Sequence, residues 1–255
     1  MLIDVHAHYD DRQYADDRDD VIDRVKKSGV DIIINSGSNV RSSQRSVELA
    51  AKYDFIYATV GVHPHDTERT PEDTISILND LLQNPKVVAV GEIGLDYYRN
   101  LSDKESQKYW FKKQMDFAAD VKYPVVIHDR EAHGDCLEMA KRYKDKVSGI
   151  FHCYSGSLET AKELMKLGYM FSFGGVVTFA NAKSCHEVVG NIPLEYIMLE
   201  TDCPYLAPHP HRGKRNDSGY LILTAQRIAE LKNISVDEVI RKTGENAERC
   251  FGLKY

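Results

Sequence analysis

The sequence predicts a TIM-type (β/α)8 barrel, an α/β fold, formed as one domain over residues 1–255. Strand-like and helix-like signals alternate from one end of the chain to the other. The strand-like runs are mostly unbroken Val, Ile and Leu, as expected for parallel strands covered on both faces. Residues able to bind metal stand at the ends of five such runs, taken from the first to the last. A closed barrel gathers those ends into one place, whereas the competing doubly wound open sheet would spread them apart.

The strand candidates are 2–5, 31–35, 55–61, 87–91, 124–127, 148–151, 168–173 and 196–199. Helical stretches lie between them. Thr70-Pro71-Glu72-Asp73 offers an N-cap, a proline at the first helical position and acids in the first turn, ahead of Ile77, Leu78, Leu81 and Leu82. Ser102-Asp103-Lys104-Glu105 reads as a capping box before Trp110, Phe117, Ala118 and Val121. The stretches 19–27 and 161–166 run into Gly29 and Gly168, both plausible C-cap positions. Ser235-Val236-Asp237-Glu238 begins a last, short helix. No repeat, low-complexity tract or Pro/Gly-rich linker divides the chain.

With 42% hydrophobic and 28% charged residues, the composition is that of a soluble globular protein. No apolar run reaches the ~18 residues needed to span a bilayer. The N-terminus opens on strand-like sequence without a basic-then-apolar signal, so the expected compartment is the cytoplasm. Five cysteines without a C-x-x-C pair read as free thiols. A net charge of -6 argues against a broadly basic surface that coats nucleic acid, but leaves room for a local basic patch.

The candidate metal ligands are His6 and His8 after the first strand, Glu92 after the fourth, then His128, His152 and Asp202. Singly, each histidine is more often a hydrogen-bonded core residue, and Glu92 could be salt-bridged to an arginine. Together they suit a metal site. His6 and His8, two residues apart in extended chain, point to the same side. Glu92 lies between glycines in Gly91-Glu92-Ile93-Gly94-Leu95-Asp96-Tyr97, and its two oxygens can bridge two ions. His128 and His152 supply a second position. Asp202 can bind metal and take a proton from an attacking water, which makes it, with Glu92, the catalytic candidate. Glu200 is expected to point away or to support the ligands from behind. Arg130 and His63 are assigned to substrate, and His65 is left uncommitted. The loop Pro208-His209-Pro210-His211-Arg212-Gly213-Lys214-Arg215-Asn216 follows Asp202 closely. Its Arg212, Lys214 and Arg215 read as an anion site, with a solvated surface loop as the plainer alternative.

These motifs, in order and along essentially the whole chain, resemble the TatD family of metal-dependent deoxyribonucleases within the amidohydrolase-like metallo-barrels. The match runs through His6-Ala7-His8, Gly61-Val62-His63-Pro64-His65, the Glu92 segment, Pro124-Val125-Val126-Ile127-His128, His152-Cys153-Tyr154-Ser155-Gly156, Glu200-Thr201-Asp202-Cys203-Pro204 and His211-Arg212-Gly213-Lys214-Arg215-Asn216. The resemblance implies a two-metal centre that hydrolyses DNA phosphodiesters, often from the 3′ end. Carried over by position, His6, His8, Glu92 and Asp202 would hold one ion, and Glu92, His128 and His152 the other. The chain departs from the family at Asp217-Ser218, where Glu-Pro is usual. The expected cofactors are two divalent cations among Zn, Mn, Mg, Co, Ni and Fe. The expected partner is single-stranded or frayed DNA, with no membrane and no obligate protein partner. The alternatives are a small-molecule amidohydrolase or deacylase on the same centre, and a non-catalytic adaptor.

Overall fold

Each apolar run becomes a strand because its β-branched residues find cover on both faces. In the computed structural model, which describes residues 1–253, eight strands pair in chain order and always in parallel. They are β1 (Ile3–Ala7), β2 (Ile32–Ser36), β3 (Ile56–Val60), β4 (Val87–Asp96), β5 (Val125–Arg130), β6 (Gly149–Phe151), β7 (Tyr169–Phe173) and β8 (Ile197–Leu199). The outer layer consists of α1 (Arg18–Lys27), α2 (Val40–Lys52), α3 (Thr74–Leu81), α4 (Lys104–Val121), α5 (His133–Arg142), α6 (Leu158–Lys166), α7 (Lys183–Asn191) and α8 (Leu221–Lys232). This is the (β/α)8 fold that the sequence predicts.

The barrel closes just beyond β8. Ala7 bridges Cys203 in parallel, with the His8 N–H on the Cys203 carbonyl at 2.8 Å and the Asp202 N–H on the His6 carbonyl at 2.9 Å. Asp4, fully buried, locks this seam. Its Oδ2 accepts from the hydroxyls of Thr201 (2.5 Å) and Ser218 (2.6 Å), and its Oδ1 from the backbone N–H groups of Thr201 (3.0 Å) and His6 (3.3 Å). Ser218 is thus part of the closure.

Two apolar layers meet at the sheet. One lies between strands and helices. The other fills the barrel with Ile3, Val5, Ile34, Val126, Ile150 and Met198, and continues into Ala247, Phe251 and Leu253. The last helix, α9 (Val236–Phe251), spans 16 residues rather than being short, and it plugs the barrel floor. Its length is hard to read because charged residues interrupt the apolar stripe of Val239, Ala247 and Phe251. The Asn246 side chain ties it down by donating to the carbonyls of Leu194 and Ile197, each at 2.8 Å.

Local details shift elsewhere. Ser235 caps α9 as expected, its side chain accepting from the Glu238 N–H at 3.1 Å. For α4 the cap is Asp103, which accepts from Glu105 and Ser106, while the Ser102 hydroxyl donates to the His65 carbonyl. Regular helix in α3 starts at Thr74, because residues 71–73 form a tighter turn with the Thr74 N–H on the Pro71 carbonyl.

Replacing Asp4 with alanine would strand four donors in the closed seam. The expected cost is about 2–4 kcal/mol, seen as a lower urea midpoint at unchanged slope. A midpoint like that of the wild type would mean that the seam does not depend on this carboxylate.

Candidate metal centre

Residues two apart on a strand share a face, so the barrel's apolar rungs predict what stands above them. Val126 leads to His128, Ile150 to His152 and Met198 to Glu200. In β1 and β4 the pattern is re-aimed by irregularities in the ladder. Pairing with β2 slips between Asp4 and Ala7, and pairing with β5 slips between Gly91 and Ile93. Glu92 therefore sits inside the ten-residue β4 rather than after it, left out of the β5 ladder, with its N–H on the Gly37 carbonyl at 2.7 Å. Sequence reading placed β4's end at residue 91, because a bulge leaves no compositional mark. Gly94, at φ +137°, lets the strand run on: a Cβ there would lie 2.0 Å from the His128 carbonyl oxygen.

The six candidate ligands converge. Glu92 divides its two oxygens between two groups of rings. Oε2 lies 3.4 Å from His6 Nε2 and 3.7 Å from His8 Nε2. Oε1 lies 2.8 Å from both His128 Nδ1 and His152 Nε2. Asp202 Oδ1 faces the first group, 3.4 Å from His8 Nε2 and 3.8 Å from His6 Nε2.

The partners on the far side of each ring decide where its lone pair points. His8 Nδ1 lies 3.0 Å from the Ser36 carbonyl, which can only accept, so Nε2 offers its lone pair inward. His128 Nε2 meets Asp96 Oδ2 at 3.2 Å, leaving Nδ1 free towards Glu92. The buried Nδ1 of His152 has no hydrogen-bond partner among the described residues, but Glu200 Oε2 stands 3.7 Å away and favours the proton there. Glu200 points into the barrel beneath the site, held by the Ser172 hydroxyl at 2.5 Å. Imidazole lone pairs and carboxylate oxygens facing one another this closely suit divalent metal ions.

His63 lies near Glu92 as well, its Nε2 3.3 Å from Oε1. Its Nδ1 accepts the His65 backbone N–H at 3.1 Å, so the neutral ring carries its proton on Nε2 and is a donor. Burial lowers its pKa to about 4, which keeps it neutral. Glu92 is held well below the carboxylate range despite burial, because His63, His152 and His6 surround it. His8 moves the other way: Asp202 and Glu92 outweigh burial and raise it to about 9, so an incoming cation displaces a proton there.

Above the cluster opens a cavity of about 800 Å³, lined by Arg130, Arg212 and Lys214 among others. The Arg130 guanidinium lies 4.5 Å over the Tyr98 ring, and that of Arg212 4.5 Å over Phe179. Arg215 departs from expectation. It turns outward to Asp17, pairing at 2.9 and 2.5 Å, donates to the Gln13 carbonyl and covers Tyr14. The loop reverses at Gly213 (φ +84°), which separates Arg215 from Arg212. Sequence reading passed over Arg99 in the cavity wall, and also Ser36 and Asp96. Ser36 supports both His6 and His8, while Asp96 supports His65 and His128. Asp96 had a signal, since it lies four residues beyond Glu92 on the same strand face. Ser36 had none.

Fold and cluster together define a barrel-type metal-dependent hydrolase. A family model described as TatD related DNase matches residues 3–252, and the chain belongs to that family. It is 44% identical to a protein of Bacillus subtilis named as an uncharacterized metal-dependent hydrolase, YabD, over 99% of this chain and 100% of that one. It is 33% identical to the 3'-5' ssDNA/RNA exonuclease TatD of Citrobacter rodentium, covering 99% and 98%. The crystal structure of YJJV, a TatD homologue of Escherichia coli, superposes with a TM-score of 0.92 at 29% identity, covering 99% of this chain and 98% of that one.

Glu92→Gln keeps the size of the side chain but removes the charge shared by both ring groups. Metal content after dialysis, measured by atomic emission, is expected to fall for every ion the protein retains. Full retention would mean that Glu92 is not a shared ligand.

Proposed function

We propose that the protein hydrolyses DNA phosphodiester bonds, working from the 3′ end of single-stranded or frayed substrate, with two divalent cations. The observation that carries this reading is one cavity with an imidazole–carboxylate cluster at its base and, on its walls, Arg130, Arg212 and Lys214, cations without ion-pair partners among the described residues. His6, His8, Glu92 and Asp202 would hold one ion, and Glu92, His128 and His152 the other. When bound, the ions supply Lewis acidity towards the phosphate and the attacking water.

The chain's own groups do the rest. Asp202, more exposed than Glu92, orients a water and takes its proton. The His63 Nε2–H, whose nitrogen lies 3.3 Å from Glu92 Oε1, would donate to a phosphate oxygen. Arg130 and Arg212 present planar N–H groups suited to phosphate, and Lys214 adds a mobile charge. The exonuclease names of relatives 32–33% identical support the same substrate class. Arg215, spent on Asp17, has no part in it.

Two measurements test the reading. The metal-loaded protein should cleave single-stranded oligonucleotides and leave amide and lactone panels untouched, and Asp202→Asn should lower kcat by about 10²–10⁴. The reverse preference would make the protein an amidohydrolase, and no turnover on either panel would favour an adaptor. Arg130→Ala and Arg212→Ala should raise KM for oligonucleotides and flatten its salt dependence. Arg215→Ala should leave KM unchanged and cost at most about 1 kcal/mol of stability, since its ion pair is exposed. A KM effect of Arg215→Ala equal to that of Arg212→Ala would restore it to the substrate site.

A further inference from the structure

A second cavity, of about 240 Å³, adjoins the one above the metal cluster. The two share Asp66, and their walls continue along the chain from Ser38 in the first to Asn39 in the second. Two helices start here. Val40 and Arg41 open α2 and Thr74 opens α3, and all three line the cavity. Helix N-termini bring partial positive charge, although at α2 the Asn39 side chain already accepts the Ser42 N–H at 3.0 Å and at α3 the Thr74 N–H is on the Pro71 carbonyl. Asp73, which precedes α3, makes no side-chain cap. Arg41 and Arg69, both exposed, complete the wall, and neither has an ion pair or hydrogen bond from its side chain among the described residues.

The decisive group is Thr74. It is fully buried, and its hydroxyl has no hydrogen-bond partner among the described residues. An unmet buried hydroxyl is costly, and here its residue lines a space that also has Arg41 and Arg69 in its wall. Asp66 is the single carboxylate in the lining, and its Oδ2 already accepts the Asn39 side-chain N–H at 2.8 Å. Arg41, Arg69, the starts of two helices and Thr74 share the lining with that one carboxylate.

We infer that this cavity binds a phosphate group, with Arg41 and Arg69 pairing to its oxygens and the Thr74 hydroxyl donating to one of them. The phosphate comes either from the backbone of a polynucleotide whose scissile bond lies over the metal cluster, or from a separate phosphorylated small molecule. The backbone source rests on the proposed function; the phosphate site itself does not.

Crystals of the metal-loaded protein soaked in tungstate test the site. Anomalous density is expected between Arg41 and Arg69 in the wild type, strongly reduced in Arg41→Ala/Arg69→Ala and weakened in Thr74→Val. Thr74→Val should melt at or above the wild-type temperature, because it removes an unsatisfied group. Absence of the wild-type peak, or an equal peak in all three proteins, overturns the site, the latter marking an adventitious ion only. Oligonucleotide length then identifies the source. For a backbone phosphate, the double variant should raise KM about tenfold or more on octanucleotides and leave a dinucleotide unaffected. Equal effects at both lengths, with the tungstate peak present, assign the site to a phosphorylated small molecule. If no oligonucleotide is cleaved by the wild type, the catalytic reading fails while the tungstate result still stands or falls alone.

Discussion

Everything at the mouth of this barrel depends on the contact between its first and last strands. His6 arrives on β1 and His8 directly after it, and Asp202 arrives after β8, so the first ligand group exists only if those ends of the chain meet. The backbone bonds of His8 with Cys203 and of Asp202 with His6 make that meeting, and they run through the ligand residues themselves. Asp4 adds four hydrogen bonds one rung below. Folding and site assembly are therefore one event in this region. A chain that fails to close loses the cluster as well as a strand pair.

The fold was legible because its signal is redundant. Eight runs of β-branched residues, each followed by helical sequence, tolerate errors at any one of them. The ligands were legible for a related reason: polar residues stand where apolar rungs end, as Ile127 passes to His128 and Phe151 to His152. The ladder irregularities in β1 and β4 were not, because a bulge is set by what the neighbouring strand does. Arg215 misled for a similar reason. Its sequence neighbours are cations of the mouth, but its spatial partner, Asp17, lies at the other end of the chain. The length of α9 was hidden because only the open barrel floor reveals which of its faces is apolar.

The geometry around the cluster shows how the rings are oriented for cations. The Ser36 carbonyl and Asp96 take the protons of His8 and His128 on the outer side, and Glu200 stands behind His152. Their effect is to fix which ring nitrogen faces inward, a choice otherwise open to each imidazole. His63 is turned the opposite way by one backbone N–H, and so becomes a donor among acceptors.

The apolar plug formed by α9 has a consequence for how this protein can change. It fills the floor with Ala247, Phe251 and Leu253, so the scaffold draws its cohesion from the end remote from chemistry. Arg212 and Lys214 hang from exposed loop at the opposite end and carry little of that cohesion. Loop variants at the mouth can thus be sampled at small thermodynamic risk, while the ligand frame beneath them stays fixed. Such a separation favours drift in what is recognised over drift in what is done to it.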